Sequence, residues 1–331
     1  MRKFVSAIPL ALVATTLWAV PSDGAAHLFS GWGRRLSRFV SPLSSSRPAQ
    51  RGGQSENPRT IPAPARFRES ESRGLLVKVW VNDAGAYTFA LDTGAGASII
   101  SPRVAREAGV GVAVNRNVNV SGLSGRNGSG REAVVRTLAI EDRSNYLPSK
   151  GLIIISDGLP PDLDGVLDPS ECYWPLGYVI NFQAEEIAAF DSRREPLRSS
   201  DAPPDGAIVR WLTDGNSRRP FVVLEGGRRA LIDTGSGFGL ALNASAARAF
   251  GVNASDGRER GSVRDLGGGH VSARRVEPLT VKLGPLVLRR VPTDILSGAA
   301  ADAPILLGRD ALRPFQLTFD PLNRLICFAP R

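Results

Sequence analysis

One short pattern occurs twice in this chain and limits what the chain can become. Ala90-Leu91-Asp92-Thr93-Gly94 and Leu231-Ile232-Asp233-Thr234-Gly235 each run an apolar, strand-like stretch into an aspartate on a glycine turn, and the two aspartates stand 141 residues apart. A single copy would read as a turn with an aspartate cap. Two copies make symmetry the question, because equivalent loops of a duplicated fold can meet at its axis.

The flanking sequence repeats as well. Residues 75–81 and 86–91 are β-rich runs around the turn residues Asn82-Asp83-Ala84-Gly85, and residues 221–224 and 229–232 repeat that hairpin ahead of Asp233. After each aspartate the chain signals a short helix. Ser101-Pro102 opens the first and Gly109 stops it; Asn243 caps the second and Gly251 ends it, the caps standing 9 and 10 residues past their aspartates. Glycine-punctuated hairpins follow, the first turning through residues 122–130 and the second through Gly267-Gly268-Gly269. Such loops at a strand reversal suit a flap over a cleft, with Gly122, Leu123, Ser124, Gly125, Gly268 and Gly269 as candidate flap residues. A second glycine landmark, Gly165 in one half and Gly308 in the other, stands 73 and 75 residues after its aspartate. Each half then closes with a strand pair, 178–182 with 187–190 and 315–319 with 325–328.

Landmarks that recur in one order at nearly constant spacing imply an internal duplication about a pseudo-twofold axis. The halves are expected at 74–198 and 207–331, joined by a linker at 199–206 that reads Ser-Ser-Asp-Ala-Pro-Pro-Asp-Gly. That arrangement sets Asp92 and Asp233 face to face. Two carboxylates at about 3 Å cannot both ionise comfortably, so one proton is shared. The ionised member can take a proton from a water between them while the other donates to a substrate carbonyl, which is peptide hydrolysis without a covalent intermediate. Thr93 and Thr234 can hydrogen-bond across the axis, Gly94 and Gly235 allow the tight turns, and the small Ala95 and Ser236 leave room for water and a substrate backbone.

This constellation resembles the aspartic proteases of the pepsin and retropepsin type over residues 74–331. The likeness is most specific at 90–98, at 231–237 and at 305–312, where Ile305-Leu306-Leu307-Gly308-Arg309-Asp310 is similar to the retropepsin pattern of two apolar residues, Gly, Arg and an acid or amide. The resemblance implies an all-β, bilobal fold with two pseudo-twofold-related, β-barrel-like lobes, a central cleft and one short helix per lobe. It also implies that Asp92 and Asp233 are the catalytic pair of an endopeptidase acting on a polypeptide, with no cofactor and no metal. One chain carries both acids, so a monomer is the expected active unit. Three departures matter. Residues 118–135 hold no tyrosine, so the flap tyrosine of pepsins is absent, as it is in retropepsins. Gly165 follows Leu163-Asp164 instead of an apolar pair, and Ala95 stands where the second half has Ser236. The last difference puts a hydroxyl near one carboxylate only and predicts an asymmetric pair that works best between mildly acidic and neutral pH. The competing reading is a catalytically inactive peptide-binding or inhibitor protein on the same fold, which would normally have lost one aspartate.

The rest of the sequence sets the context. Met1-Arg2-Lys3, the uncharged apolar run 4–20 and Gly24-Ala25-Ala26 read as a signal peptide over 1–26, with an uncleaved membrane anchor as the alternative, so the protein is expected to be exported, periplasmic or secreted. Residues 27–73 are rich in Pro, Ser and Arg and read as a disordered basic linker or propeptide. Nine arginines against Glu56, Glu69 and Glu71 place +6 of the net +9 in that segment, and residues 1–26 hold +1. The folded part is therefore nearly neutral and is not expected to bind nucleic acid. Cys172 and Cys327 could form one disulfide across the halves or remain two small buried hydrophobes. The histidines are His27 and His270, too few for a zinc site or a histidine-based triad in the folded part, and neither Gly-x-Ser-x-Gly nor Gly-x-Gly-x-x-Gly spacing occurs.

Overall fold

Residues 60–331, apart from 216 and 254, are described by a computed structural model of the chain. The expected signal peptide and most of the expected basic linker lie outside the described residues.

Strand Gly74–Val81 buries Leu75, Val77, Val79 and Val81 and leaves Lys78 exposed, the period-2 pattern of a strand with one face on a core. It forms the expected hairpin with Ala84–Leu91. Ala84–Leu91 then runs parallel to Gly165–Leu167, which pairs on its other side with Ser98–Ile100. The strand that leads to Asp92 is thus separated from the strand that leaves it by a third, and the aspartate loop has to cross the end of that inserted strand. Beyond Ser98–Ile100 come Ile153–Ile155, parallel to it, and the hairpin Gly111–Ser121 with Asn127–Val134.

The second half repeats this order. Ser217–Val223, Arg229–Asp233, Ile305–Gly308, Leu240–Asn243, Leu286–Ser297, His270–Leu283 and Arg258–Arg264 are successive neighbours, with parallel pairings at the same two places. The architecture is all-β and two-lobed, as expected. The expected caps are also present: Ser101 Oγ accepts from the Val104 N–H at 3.2 Å to open helix Pro102–Glu107, and Asn243 Oδ1 accepts from the Ala246 N–H at 2.8 Å to open helix Ala244–Ala249. Each lobe carries a second, four-residue helix that the sequence did not suggest, Pro169–Cys172 and Arg309–Leu312. Among the described residues no helix is long and apolar enough to cross a membrane.

The closing strand pairs do more than close their own halves. Gly177–Asn181 pairs with Phe315–Asp320 across the pseudo-twofold axis, and a six-stranded sheet results in the order Ala65–Arg66, Glu186–Phe190, Gly177–Asn181, Phe315–Asp320, Leu325–Pro330, Ala207–Arg210. Tyr178 and Phe319 stack at its centre with ring centroids 4.6 Å apart, and Trp211 meets Phe319 edge-on. This sheet ties the two lobes together beneath the site.

One expected boundary is corrected, and of the two readings of the cysteines the structure has the second. The folded part begins before residue 74: Ala65–Arg66 joins the six-stranded sheet, Arg68–Ser70 pairs with Gly74–Leu76, and Phe67 is buried against Phe182. Ala65, Arg66, Phe67 and Arg68 alternate inward and outward, which makes an edge strand out of a segment whose average composition is that of a linker. Cys172 and Cys327 are both buried free thiols, so there is no disulfide between the halves. Cys172 lies against Ser98 inside the first lobe, whereas Cys327 sits in the six-stranded sheet opposite Thr318 and Ile208.

Candidate active site

Asp92 is the first residue past its strand, and its N–H donates to the Leu167 carbonyl at 2.9 Å; Asp233 ends its strand beside Gly308. The two loops lock together through their threonines. The Thr93 N–H donates to Thr234 Oγ1 and the Thr234 N–H to Thr93 Oγ1, both at 3.1 Å, while each hydroxyl donates onward to the strand before the opposite aspartate: Thr93 to the Ile232 carbonyl at 2.6 Å, Thr234 to that of Leu91 at 3.2 Å. Four bonds thus fix one loop against the other about the axis. Each carboxylate accepts from the turn that follows it, Asp92 Oδ1 from the Gly94 N–H at 2.8 Å and Asp233 Oδ1 from the Ser236 N–H at 3.0 Å. A β-carbon on Gly94 would lie 2.9 Å from Asp233 Cγ, so glycine is what lets the second carboxylate come this close.

Both aspartates are buried. Burial raises the Asp92 carboxyl to about 6, opposed by the Gly94 N–H, the contact with Asp233, the Gly235 N–H and the Arg309 guanidinium. Burial, then the charge of Asp92, holds the Asp233 carboxyl well above the usual carboxylate range. Both carboxyls are thus pushed towards the protonated form, Asp233 the more so, and the two titrate as one coupled pair. Asp233 Oδ2 receives no hydrogen bond from any described N–H or O–H group. The Ser236 hydroxyl, expected beside a carboxylate, instead accepts from the Phe238 N–H at 3.3 Å; what Ser236 gives the carboxylate is its backbone.

Behind Asp233 lies a support built on Gly308 and Arg309. A β-carbon on Gly308 would lie 2.4 Å from the Phe238 carbonyl, so the strand can only run here with glycine. Arg309 is buried and donates from Nη1 to the carbonyls of Thr234 and Gly235 at 2.9 and 3.0 Å, and from Nε to Glu69 Oε1 at 3.1 Å. Glu69, in the segment expected to be linker, thereby compensates the guanidinium under the second aspartate loop.

The first lobe is supported differently. Leu91 pairs with Leu167 just as Ile232 pairs with Leu307, so the residue equivalent to Gly308 is Asp168, three positions beyond the glycine landmark Gly165. The expected equivalence of Gly165 and Gly308 is therefore wrong. Asp168 is buried, accepts from the Ser170 N–H at 2.8 Å through Oδ1, and leaves Oδ2 without a partner among the described residues. Burial and the charges of Glu171 and Asp92 hold its carboxyl well above the usual range.

The two glycine hairpins meet each other across the lobes. The Ser124 N–H donates to Asp265 Oδ2 at 2.8 Å, and β-carbons on Gly122, Gly267 and Gly269 would lie 2.0 Å from Asp265 Cγ, 2.1 Å from the Arg126 carbonyl and 1.9 Å from Ser124 Oγ. Each tip also plants a leucine in the other lobe. Leu123 is buried among Phe221, Leu231, Phe238 and Leu296 of the second, and Leu266 among Ala90, Ile99, Val120 and Ile154 of the first. Of the candidate flap residues, Gly122, Leu123, Ser124 and Gly269 take part in this closure; Gly125 and Gly268 have positive φ and shape the turns. Asp265, Leu266 and Gly267 belong to the same contact and were not singled out from the sequence, nor were Glu69 and Asp168. Arg309 carried a motif signal, and Gly267 stood inside a recognised glycine run. Among the described residues no group of three or more His, Cys, Asp or Glu side chains is arranged to hold a metal ion.

Two β lobes related by a pseudo-twofold axis, each sending one Asp-Thr-Gly loop to that axis, define the bilobal aspartic protease fold. The chain belongs to the aspartyl protease family, whose sequence profile matches it twice, over residues 77–162 and 225–311, once in each lobe. No curated protein matches it.

Proposed function

We propose that the protein is an aspartic endopeptidase in which Asp92 and Asp233 form the catalytic pair. The reciprocal threonine bonds that hold two buried, proton-sharing carboxylates at the axis carry this reading. Ionised Asp92 takes a proton from a water bound between the acids as the water oxygen attacks the scissile carbonyl. Protonated Asp233 gives its proton to the carbonyl oxygen, forming a neutral tetrahedral diol. Collapse of the diol breaks the C–N bond: the proton now on Asp92 passes to the leaving nitrogen, and a diol hydroxyl returns its proton to Asp233, which restores the starting pair. Both acids are buried while the hairpin tips are joined, so substrate reaches them when the tips part.

The polypeptide substrate, the monomeric active unit and export belong to the same proposal. One chain supplies both loops, so a single copy completes the site. Export rests on the leader at 1–26. Hydrolysis of an unfolded protein by the wild type, Asp92→Asn and Asp233→Asn tests the assignment. Each substitution is expected to lower kcat by about 10²–10⁴-fold. Equal rates in all three proteins would remove the mechanism, and peptide binding without hydrolysis by the wild type would favour the inactive binding protein.

A further inference from the structure

A cavity of about 990 Å³ lies under the first flap, against the second lobe. Ser121, Gly122 and Ser124 of that flap form one wall, and strand Ser217–Val223 contributes Arg219 and Phe221 to the opposite one. Its floor reaches Ile305, on the strand that runs beside Asp233. Arg219 also packs on the first aspartate loop: a β-carbon on Gly96, four residues past Asp92, would lie 3.1 Å from Arg219 Cδ. An extended peptide held between the flap and the acids would continue into this space.

The charges around the cavity are unbalanced. Arg219, Arg228 and Arg229 line it against Asp214 and Asp302, and Asp214 is already engaged by Arg219 Nη2 at 2.6 Å. Arg219 is 2% exposed, and its Nε and Nη1, which are closed off from the cavity until the flap parts, have no hydrogen-bond acceptor among the described residues. A buried guanidinium with unfilled donors gains more from an anionic acceptor than an exposed one does, because the competing water is absent. Arg229 lies over the Phe221 ring at 4.5 Å, which holds a second, exposed cation on the same wall.

We propose that this cavity is a subsite for a carboxylate of the substrate, with Arg219 and Arg229 as its specificity-determining residues; the assignment rests on the endopeptidase reading. The carboxylate belongs either to an acidic side chain a few residues from the scissile bond or to the C-terminus of the substrate. Both would meet the same donors.

The test uses the full chain and peptides with a fixed apolar centre. Glu, Gln or Lys is placed in turn at each of the four positions on either side of the scissile bond, in free-acid and C-terminally amidated series. At one position the Glu peptide should exceed the Gln peptide in kcat/KM by at least about tenfold, with Lys lowest. Arg229→Glu, an exposed change compatible with the fold, should reverse the Glu and Lys ranking at that position, and Arg219→Lys should reduce the preference by removing the planar fork. A preference that survives amidation assigns the side chain; one that appears only in the free-acid series assigns the terminus. Equal rates for Glu and Gln in both series, or an unchanged ranking in Arg229→Glu, would overturn the subsite. If no peptide is cleaved, the endopeptidase reading fails separately, and fluorescence-detected binding of the same peptides then decides the subsite: tighter binding of Glu than Gln supports it and equal binding overturns it.

Discussion

The two lobes hold their aspartates with the same backbone and different chemistry. In the second, Gly308 lets the inserted strand pass under the loop, and Arg309 ties down two loop carbonyls while Glu69 compensates its charge. In the first, a buried acid stands in the glycine's place: Asp168 caps a four-residue helix. Duplication has kept the pairing register and left the supports free to diverge. The asymmetry of the acid pair does not come from these supports, since Arg309 lowers both carboxyls; it comes from burial and from the charge of Asp92 acting on Asp233, and the Ser236 hydroxyl turns away to Phe238.

That contrast can be broken most forcefully at Arg309. Arg309→Met strands the Thr234 and Gly235 carbonyls and leaves Glu69 without its buried partner, and it is expected to cost about 3–5 kcal/mol in urea unfolding. An unchanged urea midpoint would mean that the second loop is held by the threonine bonds alone. A smaller effect separates the two equivalent strand positions. Gly308→Ala forces a β-carbon against the Phe238 carbonyl and should cost about 1–3 kcal/mol, whereas Asp168→Ala mainly removes a cap worth about 1 kcal/mol. Equal costs would argue that the positions are chemically interchangeable after all.

The smallest effect is one of sign. The Asp168 carboxyl is raised in the folded chain above its unfolded value of about 4, so its burial costs nothing below that pH, and the cost grows as pH rises from about 4 towards the folded value. Asp168→Asn keeps the cap geometry and removes that cost. Its urea midpoint relative to wild type should therefore improve between pH 4 and pH 7 and show no gain below pH 4; a constant offset across the range would mean that the acid does not titrate differently on folding.

Much of this was legible in the residues because it is local. The hairpins before each aspartate, the Ser101 and Asn243 caps and the glycine tips depend on turn chemistry and period-2 burial within a dozen residues. What was not legible depends on pairing between distant segments. Tyr178 and Phe319 each look like core residues of their own half, and only the register across the axis makes them partners in one sheet. The Asp168 position follows from the parallel pairing of Leu91 with Leu167, and counting to the next glycine selected Gly165 instead. Ala65 to Ser70 was obscured by the prolines and arginines around it, although Ala65 and Phe67 already mark one buried face. The thiols kept both possibilities open until their places in different sheets and lobes were known.

An acid pair that shares one proton near neutral pH is read out by the pH dependence of peptide hydrolysis. With Asp92 raised to about 6 and acting as the base, kcat/KM should climb as pH rises through about 6 and fall only when Asp233 loses its proton at higher pH. An optimum near pH 2, with activity lost on the way to neutral, would contradict the account.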